Sequence, residues 1–225
     1  MRNSFTIIKK FFIAIQVIFL FNVIVCNAQT DTIGKERYTP AYKIKDGIFI
    51  SFEQVLLNKP LSFERITTGN KNDDNWFSNL LKTEKISFLD DYGIQQFVYT
   101  KQLWGYCRKG ALYVNYISDF YRIPYIGKLS HYVATQTVRV DNGYDPYNRQ
   151  GMTPTYETNT IVQNIIDFEN GKTFPFKLEI VQTFLSKDSL LFNEFNALKK
   201  NKKKQMMFLY IRRYNERNPL YLPKQ

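Results

Sequence analysis

The chain has 225 residues, of which 31 are Lys or Arg and 20 are Asp or Glu, and its formal net charge is +11. Hydrophobic residues make up 44% of it and aromatic residues 16%, a composition that builds a buried core and excludes disordered, collagen-like and coiled-coil proteins. The sequence contains no glycine-rich phosphate loop, no serine-hydrolase elbow and no zinc-protease helix motif. No motif therefore assigns a reaction to this chain.

Residues 1–28 have the three parts of a secretory signal peptide. Lys9 and Lys10 belong to a positive start, residues 11–25 form an almost unbroken apolar run, and Ala28 ends a stretch of small residues. The run is shorter than the roughly 20 apolar residues that a membrane-spanning helix needs. We predict cleavage after Ala28 and export to the periplasm or the outside of a bacterial cell.

Cys26 permits a second interpretation of the same segment. A bacterial lipoprotein signal also ends at a cysteine, which becomes the lipidated first residue of the exported chain. Such signals usually carry Gly, Ala or Ser directly before the cysteine, whereas Val25 occupies that position here. The sequence favours a free exported protein, with lipid anchoring through Cys26 as the alternative.

The exported chain stays basic and keeps one cysteine. Removal of residues 1–28 takes away three positive charges and leaves a formal net charge of +8. We expect no nucleic-acid partner outside the cell, so the candidate partners are an envelope protein, a glycan or an anionic lipid surface. Cys107 is then the only cysteine, and an internal disulfide is impossible.

The first predicted elements follow a polar stretch. Residues 29–45 are expected to be an extended N-terminal segment, and the β-rich part of a single domain is predicted over residues 46–174. Ser51 is expected to cap a short helix, with Gln54 in the reciprocal position. The elements predicted here are a strand at 48–50, a helix at 52–57, and hairpin strands at 86–89 and 95–100.

The middle of the chain has the strongest strand pattern. Arg108-Lys109-Gly110 is a tight turn between two alternating segments, and Asn170-Gly171 is the dipeptide most favoured in two-residue hairpin turns. A polar stretch at 141–157, with two Pro and two Gly, is predicted to be a long loop. The remaining strands are predicted at 104–108, 111–117, 121–126, 129–140, 161–168 and from residue 172.

After Pro175 the pattern becomes helical, and residues 175–218 are predicted to be the helical part of the same domain. The first helix is expected to begin at Pro175, the second to be capped by Asp188 or Ser186, and the third to follow a lysine run. Residues 219–225 are left as a tail. Strands followed by helices predict an α+β fold with an antiparallel sheet.

Three short segments resemble a group of exported Bacteroidota proteins of unknown function. The segments are residues 45–60, with Lys45-Asp46-Gly47-Ile48 and Asn58-Lys59-Pro60, residues 103–107, and residues 210–219. The signal-peptide ending Asn27-Ala28-Gln29 is also typical of that group. The resemblance implies export and a common fold, and it implies no catalytic residue.

The residues that could carry chemistry are few. Cys107 and His131 are the one pair that could form a thiol nucleophile and its base, but the predicted strand position of Cys107 favours a buried cysteine. A single histidine with a single cysteine cannot form the usual zinc sites. The acidic pairs at 73–74 and 90–91 lack calcium-loop spacing and are interpreted as turn residues. We expect no metal and no cofactor.

A carboxylate pair for hydrolysis is defined by separation in space, which a sequence does not reveal. Glu53 and Glu64 are as suitable as any other acidic residues for such a pair. An envelope hydrolase with a carboxylate site is therefore kept as an alternative function.

Two features point to binding. The first is a set of strand aromatics that suits a glycan or peptide and equally suits packing across the sheet: Trp104, Tyr106, Tyr113, Tyr116 and Tyr132. The second is a lysine tract that suits an anionic surface and equally suits a solvated helix junction: Lys199, Lys200, Lys202, Lys203 and Lys204. We expect a non-catalytic exported binding or accessory protein of the cell envelope. The alternatives are the hydrolase and a peripheral binder of anionic lipid or polysaccharide through the lysine tract.

Overall fold

A computed structural model of the chain describes residues 34–141 and 155–225. The predicted signal peptide and Cys26 lie outside the described residues, as does most of the loop predicted at 141–157. The fold divides into two compact units, Met1–Glu36 and Arg37–Gln225, and the second contains every sheet and helix discussed below. The predicted α+β class is confirmed: the sheets are antiparallel, and three helices follow near the C-terminus.

A four-stranded antiparallel sheet occupies the centre of the second unit, in the order β2–β5–β6–β7. Its central hairpin turns through Lys109 and Gly110, whose φ angles of 52° and 72° belong to the turn that matches the twist of the strands. Strand β1 (Lys35–Arg37) precedes the sheet. Its four strands are β2 (Gly47–Phe49), β5 (Gly105–Arg108), β6 (Ala111–Tyr116) and β7 (Asp119–Arg122).

A smaller hairpin and one short helix cover one face of this sheet, whereas a second short helix packs into the apolar cluster on the other face. The hairpin consists of β3 (Lys85–Leu89) and β4 (Gln95–Tyr99), and its turn is closed by Asp90, whose Oδ1 accepts the Ile94 amide at 2.9 Å. Helix α1 (Phe52–Leu56) is capped by Ser51 as predicted, since Ser51 Oγ accepts the Gln54 amide. The sequence did not indicate helix α2 (Trp76–Leu80).

A second sheet is dominated by two long strands. Strands β8 (Leu129–Asp141) and β9 (Thr155–Asp167) pair over 13 residues each, and β10 (Lys172–Pro175) joins the outer edge of β9 for four residues. The turn between β9 and β10 comprises residues 168–171, and is therefore longer than the two-residue turn that Asn170-Gly171 indicates; Gly171 closes it with φ of 72°. The second sheet therefore has the order β10–β9–β8.

Three helices pack on the second sheet, and a short strand, β11 (Tyr221–Pro223), follows them. They are α3 (Leu178–Leu185), α4 (Ser189–Ala197) and α5 (Lys200–Arg217). Asn215 of α5 connects helix and sheet, because its side chain accepts the Leu129 amide at 2.8 Å and donates to the Leu129 carbonyl at 2.8 Å. Both strand groups would otherwise be buried without a partner.

Three apolar clusters separate these layers. One lies between the hairpin with α2 and the four-stranded sheet, around Ile86 and Ile48. The next lies between the two sheets, around Phe49 and Tyr132. The last lies between the second sheet and the helices, around Phe195.

Several predicted boundaries are wrong. Pro175 ends β10 instead of starting a helix, and the helix starts at Leu178. Helix α5 contains most of the lysine tract, because it begins at Lys200. The strand predicted at 121–126 covers Asp119–Arg122, and residues 155–157, predicted to be loop, belong to β9. Pro124 explains the early end of β7, since proline cannot donate to a ladder.

Candidate functional site

The structure divides the predicted aromatic set between two sides of the four-stranded sheet. Tyr106 and Tyr113 are cross-strand partners, and their rings stack with centroids 4.6 Å apart and planes 13° apart. Trp104, Tyr116 and Tyr132 pack instead into the cluster between the two sheets. Side chains alternate along a strand, so Tyr116 faces away from Tyr113, and Trp104 precedes the first residue of β5 and escapes the alternation. The aromatic residues predicted to form one binding surface therefore lie in two separate groups.

Tyr132 is fully buried in that inner cluster, and burial raises the pKa of its hydroxyl to about 12. Trp104 contacts Phe52 and Phe168 with ring centroids 5.5 Å and 6.4 Å apart. Both aromatics therefore serve the packing between the sheets.

Tyr106 and Tyr113 open onto a pocket of about 500 Å³ that we call the basic aromatic pocket. Its lining consists of Phe77, Ser78, Leu81, Tyr106, Arg108, Lys109, Ala111, Tyr113 and Arg122. Three of these residues are cationic, and the lining includes no carboxylate. A concave site with aromatic walls and a few convergent charges is the usual form of a small-ligand site.

Strand register explains why these side chains meet. Tyr106 of β5 pairs with Tyr113 of β6, and Tyr113 pairs with Arg122 of β7. Paired residues point to the same face, so the three side chains form a row across three strands. Arg108 lies two residues after Tyr106 and therefore joins the same face.

The guanidinium of Arg108 is held by an aromatic ring. Its Cζ lies 4.4 Å from the ring centroid of Phe77, at a distance typical of a cation–π contact. Among the described residues, Arg108, Lys109 and Arg122 form no ion pair with a carboxylate. Their charges are therefore available to a ligand.

Tyr106 stays neutral beside these charges. Burial, with a smaller effect of Tyr113, raises the pKa of its hydroxyl to about 12, although Arg108 acts in the opposite direction. A neutral hydroxyl both donates and accepts a hydrogen bond. The pocket thus combines fixed positive charge, a flat apolar surface and a neutral polar group.

The predicted lysine tract lies at the N-terminal end of α5. Lys199 is the N-cap residue, and its side chain makes no capping hydrogen bond. Lys203 turns toward α4, with Nζ 3.2 Å from Asn196 Oδ1, while Lys200, Lys202 and Lys204 are exposed. Positive side chains at this end of a helix are opposed by the helix dipole. The tract therefore forms a positive surface at a local electrostatic cost.

Cys107 and His131 do not form a catalytic pair. Cys107 is fully buried, with Sγ 3.5 Å from the Ile44 carbonyl and 3.6 Å from Asp46 Oδ1. Burial and the Asp46 carboxylate raise the pKa of its thiol to about 12, which keeps it protonated and unreactive.

His131 lies on the other side of the second sheet. Its ring is 5.1 Å from Phe176 and 4.7 Å from Phe208, and its Nε2 is 3.2 Å from Gln163 Oε1. Burial lowers the pKa of His131. It belongs to an aromatic cluster between the sheet and α5, far from the thiol contacts of Cys107.

The acidic residues considered from sequence organise turns or face solvent. Asp90 accepts backbone amides of its own turn, which lowers its pKa, and Asp91 pairs with Arg65 at 2.6 Å. Asp73 accepts the Asn75 amide at 2.9 Å. Glu53 and Glu64, the candidates for a hydrolytic pair, are both exposed, on α1 and on the short 3₁₀ turn Phe63–Arg65.

No group of three or more His, Cys, Asp or Glu residues suited to a metal ion occurs within residues 34–141 and 155–225. Of the helices that the structure describes, none combines the length and the hydropathy of a membrane-spanning segment.

Sequence reasoning missed most of the basic aromatic pocket. The alternation of Tyr106 with Arg108 was visible in the sequence, but Arg122 joins them only through the register of β6 with β7. Phe77 comes from α2, which has no periodic signal over its five residues. Comparison with known proteins finds no matching family model, no matching curated protein and no matching solved structure. We therefore infer the function from the geometry of the chain.

Proposed function

We propose that the protein is a non-catalytic binding protein of the bacterial cell envelope and that it holds an acidic glycan in the basic aromatic pocket. The observation that carries the proposal is the row of Tyr106, Tyr113 and Arg122 across three strands, with Arg108 beside it and no carboxylate in the lining. The ligand class follows from the two kinds of surface that meet there.

The tyrosine rings account for the glycan part of the proposal. Tyr113, which is half-buried, offers rigid, amphipathic contact area that loses little conformational entropy when a ligand binds. Tyr106 is 9% exposed and supports the Tyr113 ring by stacking against it. The C–H faces of a sugar ring suit such a surface. The neutral Tyr106 hydroxyl can serve a sugar hydroxyl as donor or acceptor.

The cations account for the acidic part. Arg108, Lys109 and Arg122 converge on one pocket whose lining includes no carboxylate, so their charges repel one another. The Asp46 carboxylate, which accepts the Lys109 and Gly110 amides, offsets part of this repulsion. A bound carboxylate or sulfate relieves this repulsion, and a guanidinium can hold it through two parallel hydrogen bonds. The formal charge of +8 expected for the exported chain also favours an anionic partner.

The envelope location rests on the signal-peptide pattern of residues 1–28 and on the resemblance to exported Bacteroidota proteins. N-terminal sequencing of the protein from its native cells should find Gln29 as the first residue. A lipidated Cys26 at the N-terminus would show that the exported protein is anchored to a membrane by lipid instead of being free. Retention of residues 1–28 would contradict export with cleavage.

Calorimetric titration tests the ligand class. The probes are an oligogalacturonate and the same oligosaccharide with every carboxylate methyl-esterified, which keeps the rings and removes the charge. The acid form should bind, with an affinity that falls as salt rises, and the ester should bind at least about ten times more weakly. Equal binding of the two forms, or binding of neither, would contradict the proposal.

A further inference from the structure

The outer edge of β9 is open over most of its length. Strand β10 accompanies β9 only from Asp167 to Asn164, which pairs with Pro175. Within the described part of the chain, no strand lies beside this edge at residues 155–163. An open strand edge presents a row of backbone donors and acceptors to any extended chain that reaches it.

The direction of these backbone groups follows from one hydrogen bond. The Phe176 amide donates to the Gln163 carbonyl at 2.8 Å, so Gln163 directs its backbone groups to the outer edge. Residues two apart on an antiparallel strand point their backbone groups the same way. Ile161 and Asn159 therefore also present N–H and C=O groups to the open edge.

A groove of about 670 Å³ lies at the point where β10 leaves β9. Side chains from both faces of the second sheet line it, including Ile161 and Val162, and Pro175 lies at its inner end. Phe176, Met207 and Phe208 form its apolar part. Ile161 is 73% exposed, and a bound chain would cover it. We call this site the edge groove.

The charged residues of the edge groove point to an anionic ligand group. Lys177 and Lys204 line it, no carboxylate does, and neither lysine forms an ion pair within the described residues. Asn164 is 4% exposed, and its side chain lies beside the buried hydroxyl of its strand partner Tyr132.

We propose that the edge groove binds the extended C-terminal segment of a partner protein, which adds a strand to β9 and places its terminal carboxylate beside Lys177 and Lys204. The carboxylate lies at the end that Pro175 closes, so the peptide runs parallel to β9. The opposite direction would bring a terminal ammonium against two lysines, which repel it. The last side chain of the peptide is apolar and contacts Phe176, Met207 and Phe208. This site is separate from the basic aromatic pocket and does not depend on the proposed glycan.

Fluorescence polarisation with the purified protein tests this proposal. The probes are heptapeptides that vary over all twenty residues at the last position, each synthesised with a free C-terminal carboxylate and as the C-terminal amide. Free acids that end in an apolar residue should bind, and their amides should bind at least about ten times more weakly. If no free acid binds, or if the amides bind equally well, the proposal is overturned.

Paired charge variants locate the site. The double variant Lys177→Gln, Lys204→Gln should weaken binding of the free acids at least about tenfold. The control Lys199→Gln, Lys200→Gln removes the same charge nearby and should leave binding unchanged. Equal effects of the two variants would show attraction to the lysine tract as a whole and would overturn the proposed carboxylate site.

The edge itself is tested by Ile161→Pro. Proline is tolerated on an edge strand where its missing N–H would face solvent, so the variant should fold and lose peptide binding. Amide hydrogen exchange on the unchanged protein gives a second test, because a bound peptide should protect the Ile161 and Asn159 amides. Absence of that protection when the peptide is bound would overturn the addition of a strand to β9.

Discussion

Strands of the four-stranded sheet are three to six residues long and are paired along their length, whereas β8 and β9 run for 13 residues each and β10 accompanies β9 for only four. The short sheet places side chains in rows, and its candidate site is a set of aromatic and cationic side chains. The long sheet ends its pairing early, and its candidate site includes backbone groups. The same antiparallel pairing thus produces two kinds of binding surface.

The short sheet depends on close backbone approach at Gly105, and a substitution there should have the largest effect on stability. A Cβ at this position would lie 2.0 Å from the Tyr113 carbonyl oxygen. Gly105→Ala must separate β5 from β6, so we expect a loss of about 4 kcal/mol in the free energy of unfolding. Chemical denaturation measures this loss.

Gly93→Ala is the matched control for that variant. Gly93, unlike Gly105, has a positive φ, of 76°, and a Cβ there meets nothing within 4 Å. Only the conformational cost remains, about 1–2 kcal/mol. If Gly105→Ala lowers the free energy of unfolding no more than Gly93→Ala does, the close approach of β5 and β6 at Gly105 is contradicted.

The long sheet depends on a polar connection to α5. Asn215→Ala removes both hydrogen bonds to the Leu129 backbone and leaves buried groups unpaired. We expect a loss of about 3 kcal/mol in the free energy of unfolding, since each unpaired buried group costs about 1–3 kcal/mol. Urea denaturation gives the value. The exposed Asn193→Ala should change stability by less than about 0.5 kcal/mol, and a similar change for both variants would refute the connection.

A smaller effect concerns His131, on the helix side of the long sheet. Burial lowers the pKa of His131 below its usual value of 6.5. As pH falls through that usual value, the unfolded chain binds the proton before the folded chain does, so the free energy of unfolding decreases. Between about pH 7 and 5.5, stability should fall more in the wild type than in His131→Gln. Equal decreases in unfolding experiments would contradict a half-buried imidazole that stays neutral in the folded protein.

Local turn chemistry explains which elements the sequence predicted. Lys109 and Gly110 both adopt positive φ, as does Gly171, and these turns fix the hairpins beside them. Asp188 caps α4 through the Leu191 amide, so a local hydrogen bond also marks that boundary. Such signals depend on residues a few positions apart, which a sequence displays directly.

Tertiary pairing explains the wrong boundaries. Proline fits the first turn of a helix and also the end of an edge strand, and pairing of Pro175 with Asn164 decides between them. Lysine is a good helix former, and Met206 and Met207 pack against the helical cluster. Together, these two effects extend α5 back through the lysine tract. Neither outcome is visible in a local pattern.

The candidate sites were less predictable than the fold. Tyr106 and Tyr113 were selected from sequence, but their separation from Tyr116 and Tyr132 depends on the faces that two strands present. Arg122 enters through register, and Lys204 of α5 and Lys177, the N-cap residue of α3, reach one groove from distant segments. Charges become a site only when distant segments are brought together.

Calorimetry with two triple variants tests the central claim most directly. Arg108→Gln, Lys109→Gln, Arg122→Gln removes the cations of the basic aromatic pocket, and Lys202→Gln, Lys203→Gln, Lys204→Gln removes the same charge from the lysine tract. The first variant should bind oligogalacturonate at least about a hundred times more weakly than the wild type, and the second should bind it within about threefold. Equal losses, or a loss confined to the second variant, would contradict recognition in the pocket and assign the anion to the lysine tract.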